Sequence, residues 1–130
     1  MIVVDTSALI AIILREPQAA SCIEVLRTET DSLASAGTVA EALIVAARRR
    51  VIAEMTKLLS GLSIEIVPVT AASARRVGDA YERWGKGLHP AGLNFGDCFA
   101  YALAKDRSCP LLFVGDEFAK TDVASALPVR

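Results

Sequence analysis

Short apolar runs alternate along the chain with longer stretches in which apolar side chains recur every three to four positions. The runs Met1–Val4, Ile64–Val67 and Leu111–Val114 predict buried strands, and a weaker strand is predicted at Ser32–Ser35. Helices are predicted between them, at about residues 8–14, 17–28, 38–50, 51–61, 70–84 and 95–106. Strands joined by helices favour parallel pairing, so we expect an α/β sandwich: a central parallel sheet of four to five strands flanked by helices.

Two segments interrupt this pattern. Gly85–Gly92 holds three of the eight glycines of the chain and also Pro90, which predicts an irregular loop that suits a mobile flap. A final short element is expected after Thr121–Asp122. With 130 residues the chain has the size of one compact unit, so a single domain over residues 1–130 is expected.

Composition narrows the class of protein. The chain is 53% apolar and 22% charged, which excludes a disordered chain, and its net charge of -1 excludes a broadly basic nucleic-acid-binding surface. The apolar run Ala8–Leu14 is far shorter than the ~20 residues that span a bilayer. Cys22, Cys98 and Cys109 show no C-x-x-C spacing and are predicted to be buried free thiols. A soluble, cytoplasmic protein without a membrane segment is therefore expected.

Four acidic residues are predicted to lie at one edge of the sheet. Asp5 follows the first strand and Asp116 the last, and ligands of open parallel sheets bind beyond the carboxyl ends of the strands. Glu41 and Asp97 fall in the first turns of helices that start at the same edge. Converging carboxylates repel one another unless a cation is bound, and oxygen ligands favour Mg²⁺, or Mn²⁺ in its place, over zinc.

Each acid also has a simpler structural explanation. Thr38 and Glu41 have the spacing of a capping box, and so do Asn94 and Asp97. The two acids that follow strands fit turn positions. These explanations are independent of one another, and none of them explains why all four acids fall on one edge. Taken together, the acids predict a metal site.

The four acids lie within four sequence motifs. These are Val4–Ala8, Val39–Glu41, Leu93–Ala102 and Leu111–Asp116, the last followed by Lys120–Asp122. In this order and spacing the chain resembles the PIN-domain ribonucleases of the VapC type, the toxins of type II toxin–antitoxin pairs. The resemblance implies a PIN-like three-layer sandwich and Mg²⁺-dependent endonucleolytic hydrolysis of RNA. It also implies a cognate antitoxin and a homodimer.

The resemblance assigns catalysis and metal binding to four acids, Asp5, Glu41, Asp97 and Asp116. The fourth position stays open, because Glu117 and Asp122 lie close enough in sequence to share or replace the role of Asp116. Hydrogen-bonding support for the acids is expected from Thr6, Ser7, Asn94 and Asp122, although turn and cap positions explain these residues equally well.

Contacts to RNA are expected from Lys86 and His89 in the glycine-rich loop and from Arg49, although a solvated helix end also explains the run Arg48–Arg50. An antitoxin would cover an apolar groove, and the helix at Ala8–Leu14 and the one that starts at Pro17 are its expected walls.

Other functions are less consistent with the chain. A haloacid-dehalogenase-type phosphatase needs a second Asp two residues after the first, where this chain has Ser7. The remaining alternative is a catalytically inactive PIN-like module that binds RNA or protein. The loss of one of the four acids would favour this alternative, but all four are present.

Overall fold

The computed structural model describes residues 1–128, and its centre is a parallel sheet. In this part of the chain four strands pair in the order β3-β2-β1-β4. Their bounds are Ile2–Val4 for β1, Ser32–Ser35 for β2, Glu65–Val67 for β3 and Leu111–Leu112 for β4. All pairs are parallel, and Val3 lies opposite Leu33 on one side and Leu111 on the other. The predicted parallel sheet is confirmed, and the strands before Asp5 and Asp116 are neighbours.

Helices connect the strands and cover both faces of the sheet. Their bounds are Thr6–Ile13 for α1, Ala19–Thr28 for α2, Ala36–Arg48 for α3, Ile52–Gly61 for α4, Ala71–Trp84 for α5 and Phe95–Asp106 for α6. A single 3-10 turn, Phe118–Lys120, follows β4. Among residues 1–128 no helix is long and apolar enough to cross a bilayer.

Alternation along β1 divides the core into two halves. Val3 packs on one face with Trp84 of α5 and Leu103 of α6. Ile2 and Val4 point to the other face and pack with side chains of α1 to α4, since successive side chains of a strand face opposite ways. Helices therefore form a layer on each side of the sheet, which is the predicted three-layer sandwich.

Several predicted boundaries are corrected. Helix α1 begins at Thr6 rather than Ala8, because the Asp5 side chain caps it. Helix α3 begins at Ala36, because Ser35 caps it by accepting from the Gly37 amide, and this places Thr38 inside the helix. Thr70 caps α5 as predicted.

The chain after β4 also differs from the prediction. The strand ends at Leu112, two residues before the predicted Val114, and a 3-10 turn that the sequence did not predict lies before Thr121. Beyond Asp122 the chain does form the expected short element, an isolated parallel bridge between Ser125 and Leu111.

The glycine-rich loop is irregular, as predicted, but its ends are tied together. The Leu93 amide donates to the Trp84 carbonyl (3.0 Å) and the Lys86 amide donates to the Leu93 carbonyl (2.9 Å). The His89 ring also packs edge-on against Trp84, with 4.7 Å between ring centroids. These contacts anchor the loop to α5, which is a different arrangement from a freely hinged flap.

The three cysteines are free thiols, as predicted, with Cys22 and Cys98 buried and Cys109 half-buried.

Candidate metal and active site

Asp5 lies where β1 becomes α1, at the carboxyl end of the sheet. Its Oδ2 accepts from the Ser7 amide (3.0 Å), which caps the helix, while Oδ1 is buried and meets no hydrogen-bond donor in the described chain. The side chain is only 2% exposed. Burial raises the pKa of Asp5 to about 7 against the lowering effect of the Ser7 bonds, and the charges of Asp97 and Glu41 raise it further.

Glu41 reaches the same edge from the second turn of α3. Thr6 Oγ1 donates to Glu41 Oε1 (2.7 Å) and also lies 3.3 Å from the Thr38 carbonyl oxygen. The other carboxylate oxygen lies directly over Gly96 of α6, where a Cβ would collide with it. The predicted capping box of Thr38 and Glu41 is therefore wrong: Glu41 turns away from its own helix end toward α1 and α6.

Asp97 is held at the start of α6 by a reciprocal pair of bonds with Asn94. The Asn94 amide donates to Asp97 Oδ2 (2.9 Å), and the Asp97 amide donates to Asn94 Oδ1 (2.9 Å). Burial raises the pKa of Asp97 to about 6 despite the Asn94 bond, and the charges of Glu41 and Glu117 add to this rise. The predicted capping box is confirmed here, and the same carboxylate interacts with the other acids.

Asp5, Glu41 and Asp97, here called the acidic cluster, share one arrangement. In each of them one carboxylate oxygen accepts a hydrogen bond from a nearby residue. Ser7 donates to Asp5, Thr6 to Glu41 and Asn94 to Asp97. Three of the four predicted supporting residues thus contact an acid. Ser7 also links the acids to the sheet, because its Oγ accepts from the Val114 amide (2.9 Å) just beyond β4.

The cluster has the chemistry of a site for a hard divalent cation. An all-carboxylate donor set suits Mg²⁺ or Mn²⁺, and the buried Asp5 Oδ1 lacks the partner that a buried polar atom normally has. As positioned, no three His, Cys, Asp or Glu side chains among residues 1–128 stand close enough to share one ion. The fit therefore rests on the donor type, the unpartnered oxygen and the mutual repulsion of the acids.

The turn after β4 brings Glu117, rather than Asp116, toward the cluster. Gly115 has a φ of 110°, and a Cβ on it would lie 2.9 Å from Glu117 Oε2. The charge of Glu117 contributes to the raised pKa of Asp97. Asp116 and Glu117 are both exposed, and neither side chain has a hydrogen bond or ion pair within the described range. Of the open alternatives for the fourth acid, Glu117 is the one whose charge acts on the cluster.

Asp122 belongs to a different group of side chains, which corrects its predicted supporting role. Tyr101 donates its hydroxyl to Asp122 Oδ1 (2.5 Å), and Lys105 Nζ and Arg83 lie 3.3 and 3.6 Å from Oδ2. Slight burial opposes ionisation of Asp122, but the Tyr101 hydrogen bond and the neighbouring cations lower its pKa overall. The residue ties the chain after β4 to α5 and α6.

The three predicted RNA contacts have different surroundings. His89 Nδ1 accepts from the Ala91 amide (2.9 Å), so this ring nitrogen serves the loop. Arg49 is the C-terminal cap of α3, eight residues past Glu41 and so about 12 Å along the helix axis from it. Lys86 is exposed and lines a groove with Asn94 and Phe95, immediately beside the capping residue of Asp97.

Phe95 was missed from the sequence. Its side chain is 75% exposed although it is flanked by Asn94 and Gly96, both of which contact the acidic cluster. A large apolar side chain at the first position of a helix, directly after a polar cap, is the signal that could have identified it.

Comparisons with known proteins agree on one family. Residues 2–124 match the PIN domain model. Ribonuclease VapC28 of Mycobacterium tuberculosis is 41% identical over 132 residues, which cover 98% of this chain and 99% of the relative. Ribonuclease VapC of Mycolicibacterium smegmatis is 42% identical over 129 residues, which cover 95% of this chain and 98% of the relative.

Solved structures share the fold. The Mycobacterium tuberculosis toxin VapC20, described as cleaving the sarcin-ricin loop, superposes with a TM-score of 0.79 at 14% identity, covering 98% of this chain and 100% of that one. A toxin–antitoxin complex from Klebsiella pneumoniae gives a TM-score of 0.73 at 18% identity, covering 99% and 100%. At these identities the likeness concerns the fold alone, and it confirms the predicted PIN-like sandwich.

Proposed function

The chain belongs to the PIN domain family and, within it, to the VapC ribonucleases, and on this premise we propose that it is a Mg²⁺-dependent endoribonuclease. It hydrolyses phosphodiester bonds of RNA and acts in the cytoplasm as the toxin of a type II toxin–antitoxin pair. The observation that carries the proposal is the acidic cluster, with a buried carboxylate oxygen of Asp5 that has no partner in the described chain.

Asp5, Glu41 and Asp97 are the proposed ligands of Mg²⁺, which Mn²⁺ can replace, and Glu117 is the proposed fourth acid. A bound divalent ion supplies positive charge that activates water and offsets the charge of the phosphodiester. The chain's own residues provide the positioning. Ser7 and Asn94 fix Asp5 and Asp97 through backbone hydrogen bonds, so that neither carboxylate has to be ordered when RNA arrives.

Glu41 is the acid best placed to orient a water molecule. Thr6 holds one of its oxygens, and the other lies over Gly96, which has no side chain in its way. We assign Glu41 Oε2 the role of orienting the attacking water by accepting its hydrogen bond. The expected products carry 5′-phosphate and 3′-hydroxyl ends.

Two protein partners belong to the proposal. A cognate antitoxin would lie along α1 and α2 and place a basic side chain near the acids. Ile12 and Ile13 are half-buried against the core on that side, so a partner would contact only their exposed parts. A second copy of the chain is proposed to pack on the apolar surface of α3, where Ile44 is 61% exposed beside Val69. Sedimentation velocity on the purified chain tests the homodimer.

Substitution of the acids tests the activity. Asp5→Asn and Asp97→Asn should each lower Mg²⁺-dependent RNA cleavage by more than about a hundredfold, because each removes a charged ligand. Both variants should stay folded, since the Asn oxygen can still accept from the Ser7 or Asn94 amide. The matched control is Asp79→Asn, an exposed acid on α5, which should cleave normally.

The assay uses purified, partner-free protein with total RNA, in Mg²⁺ and in EDTA, with circular dichroism as the check of folding. Retained cleavage in both variants would rule out the site assignment. RNA binding without cleavage by the unsubstituted protein would favour the inactive PIN-like module.

A further inference from the structure

A groove beside the acidic cluster has the character of a nucleobase site. It lies between α5 and the start of α6 and measures about 600 Å³, within the ~300–1,000 Å³ typical of ligand pockets. Tyr81, Lys86, Asn94 and Phe95 are among its lining residues. We propose that this groove, here called the Phe95 groove, binds an unpaired base of the RNA next to the scissile bond by stacking on Phe95. The inference rests on the proposed function.

Phe95 is placed as a stacking platform. Of the large apolar side chains that the structure describes as exposed, it has the greatest exposed fraction, 75%. Its ring packs edge-to-face against Phe99, with 5.0 Å between centroids and an interplanar angle of 81°. This contact orients the ring while most of its surface stays open. Unpaired bases of RNA are bound by stacking on such aromatic rings.

The position of Phe95 in sequence ties the platform to the cleavage site. The preceding residue, Asn94, holds the carboxylate of Asp97, and the following residue, Gly96, contacts that of Glu41. A base stacked on Phe95 would therefore belong to a nucleotide adjacent to the bond that the acids cut. Binding here would help to align the scissile phosphodiester with the cluster.

Tyr81 and Lys86 complete the groove. The Tyr81 side chain is 39% exposed, and its hydroxyl donates to the Lys86 carbonyl oxygen (2.8 Å), which ties the glycine-rich loop to α5. Lys86 thus presents an exposed ammonium beside two aromatic rings, and no acidic side chain lines this groove. A cation next to a stacking surface suits a nucleotide, whose phosphate the acids alone would repel.

A neighbouring groove on the other side of Phe95 lacks this combination. It is lined by apolar side chains of α3 and α6, among them Ile44 and Phe99, and its one charged lining residue is the acid Glu41. Without a cation it suits an apolar protein surface better than RNA. The charge of Lys86 is what assigns the base to the Phe95 groove.

The test measures RNA binding in the cleavage-deficient Asp5→Asn background with Mg²⁺ present. The probes are a fluorescein-labelled single-stranded RNA 12-mer of mixed sequence and a matching 12-mer of abasic ribose phosphates, read by fluorescence anisotropy. Phe95→Ala should weaken binding of the RNA about ten- to hundredfold and leave binding of the abasic strand unchanged. Phe95→Tyr keeps a ring and should bind within about twofold of the parent. Leu88→Ala, an exposed apolar residue of the loop outside the groove, is the matched control.

Each other outcome overturns the inference in a recognisable way. Equal losses for both strands in Phe95→Ala, or no loss at all, would exclude base stacking and leave the proposed ribonuclease function intact. A lower sedimentation coefficient in Phe95→Ala would instead assign the residue to a contact between two copies of this chain. Absence of both RNA binding by the parent and cleavage by the unsubstituted protein would overturn the proposed function together with the inference.

Discussion

Each carboxylate of the acidic cluster has a structural and a chemical role. Asp5 caps α1 with one oxygen and leaves the other buried without a partner, and Asp97 closes a capping box while interacting with Glu41. The structural and catalytic explanations of these residues are therefore compatible. For this reason the sequence spacing between a capping residue and an acid locates the acid at a helix start. It cannot by itself distinguish a capping role from a catalytic one.

Substitution of Thr6 tests whether its hydrogen bond positions the Glu41 carboxylate. Thr6→Val removes the hydroxyl that donates to Glu41 Oε1 and should lower RNA cleavage about ten- to hundredfold, the usual effect of losing a residue that orients a metal ligand. Thr6→Ser keeps the donor and should retain activity to within a few-fold. Cleavage rates for both variants, with thermal melting as the check of folding, decide the role. Equal activity of Thr6→Val and the unsubstituted protein would contradict it.

At the scale of elements, the site depends on the close approach of α3 and α6 above the carboxyl ends of the strands. Gly96 allows Glu41 to lie across the first turn of α6. Gly37 of α3 likewise faces Phe99, and a Cβ there would lie 2.5 Å from the ring. The two glycines therefore set how closely the acid-bearing helices pack.

Gly96→Ala tests this arrangement. The added methyl would occupy the position of Glu41 Oε2, the mobile end of a side chain, so the fold should be kept while Glu41 is displaced. Cleavage is expected to fall about tenfold or more, with little change in melting temperature. Gly61→Ala, at the end of α4 with open space around it, is the control and should cleave normally. Full activity of Gly96→Ala would show that the position of Glu41 is not critical.

Elements also show how far the sequence predicts the structure. Apolar runs predict the strands before Asp5 and Asp116, and the periodicity of apolar side chains predicts the helices that bear Glu41 and Asp97. Both patterns are informative because they reflect which side chains are buried. The predicted start of α3 at Thr38 is wrong because Ser35 and Thr38 are both good capping residues, and only packing decides between them. The choice between Asp116 and Glu117 as the fourth acid depends on the conformation of the turn after β4, which the local sequence does not reveal.

For the whole molecule, the burial of Asp5 and Asp97, with a smaller effect from the repulsion among the acids, links folding to pH. The pKa values of Asp5 and Asp97 are raised to about 7 and about 6, so the folded chain binds protons in a range where the unfolded chain does not. Without metal, the free energy of unfolding should therefore rise as pH falls from about 8 to about 5. The opposite contribution of Asp122, whose pKa is lowered, is lost only at more acidic pH.

Thermal melting in EDTA at several pH values across this range measures the effect. Asp5→Asn replaces the most strongly shifted acid and should remove much of the dependence. The matched control, Asp79→Asn, should melt with the same pH dependence as the unsubstituted protein. A melting temperature that falls on acidification over the same range would contradict the raised pKa values of the buried acids.

The central claim is that the acidic cluster binds the divalent ion that RNA cleavage needs, and calorimetric titration of Mg²⁺ tests it most directly. The unsubstituted protein should bind Mg²⁺ at pH 8 and more weakly at pH 5.5, because the ligands must be deprotonated. Asp97→Asn should lower the affinity at pH 8 by at least about tenfold, and Asp79→Asn should leave it unchanged. Equal Mg²⁺ affinity in Asp97→Asn and the unsubstituted protein would contradict the account.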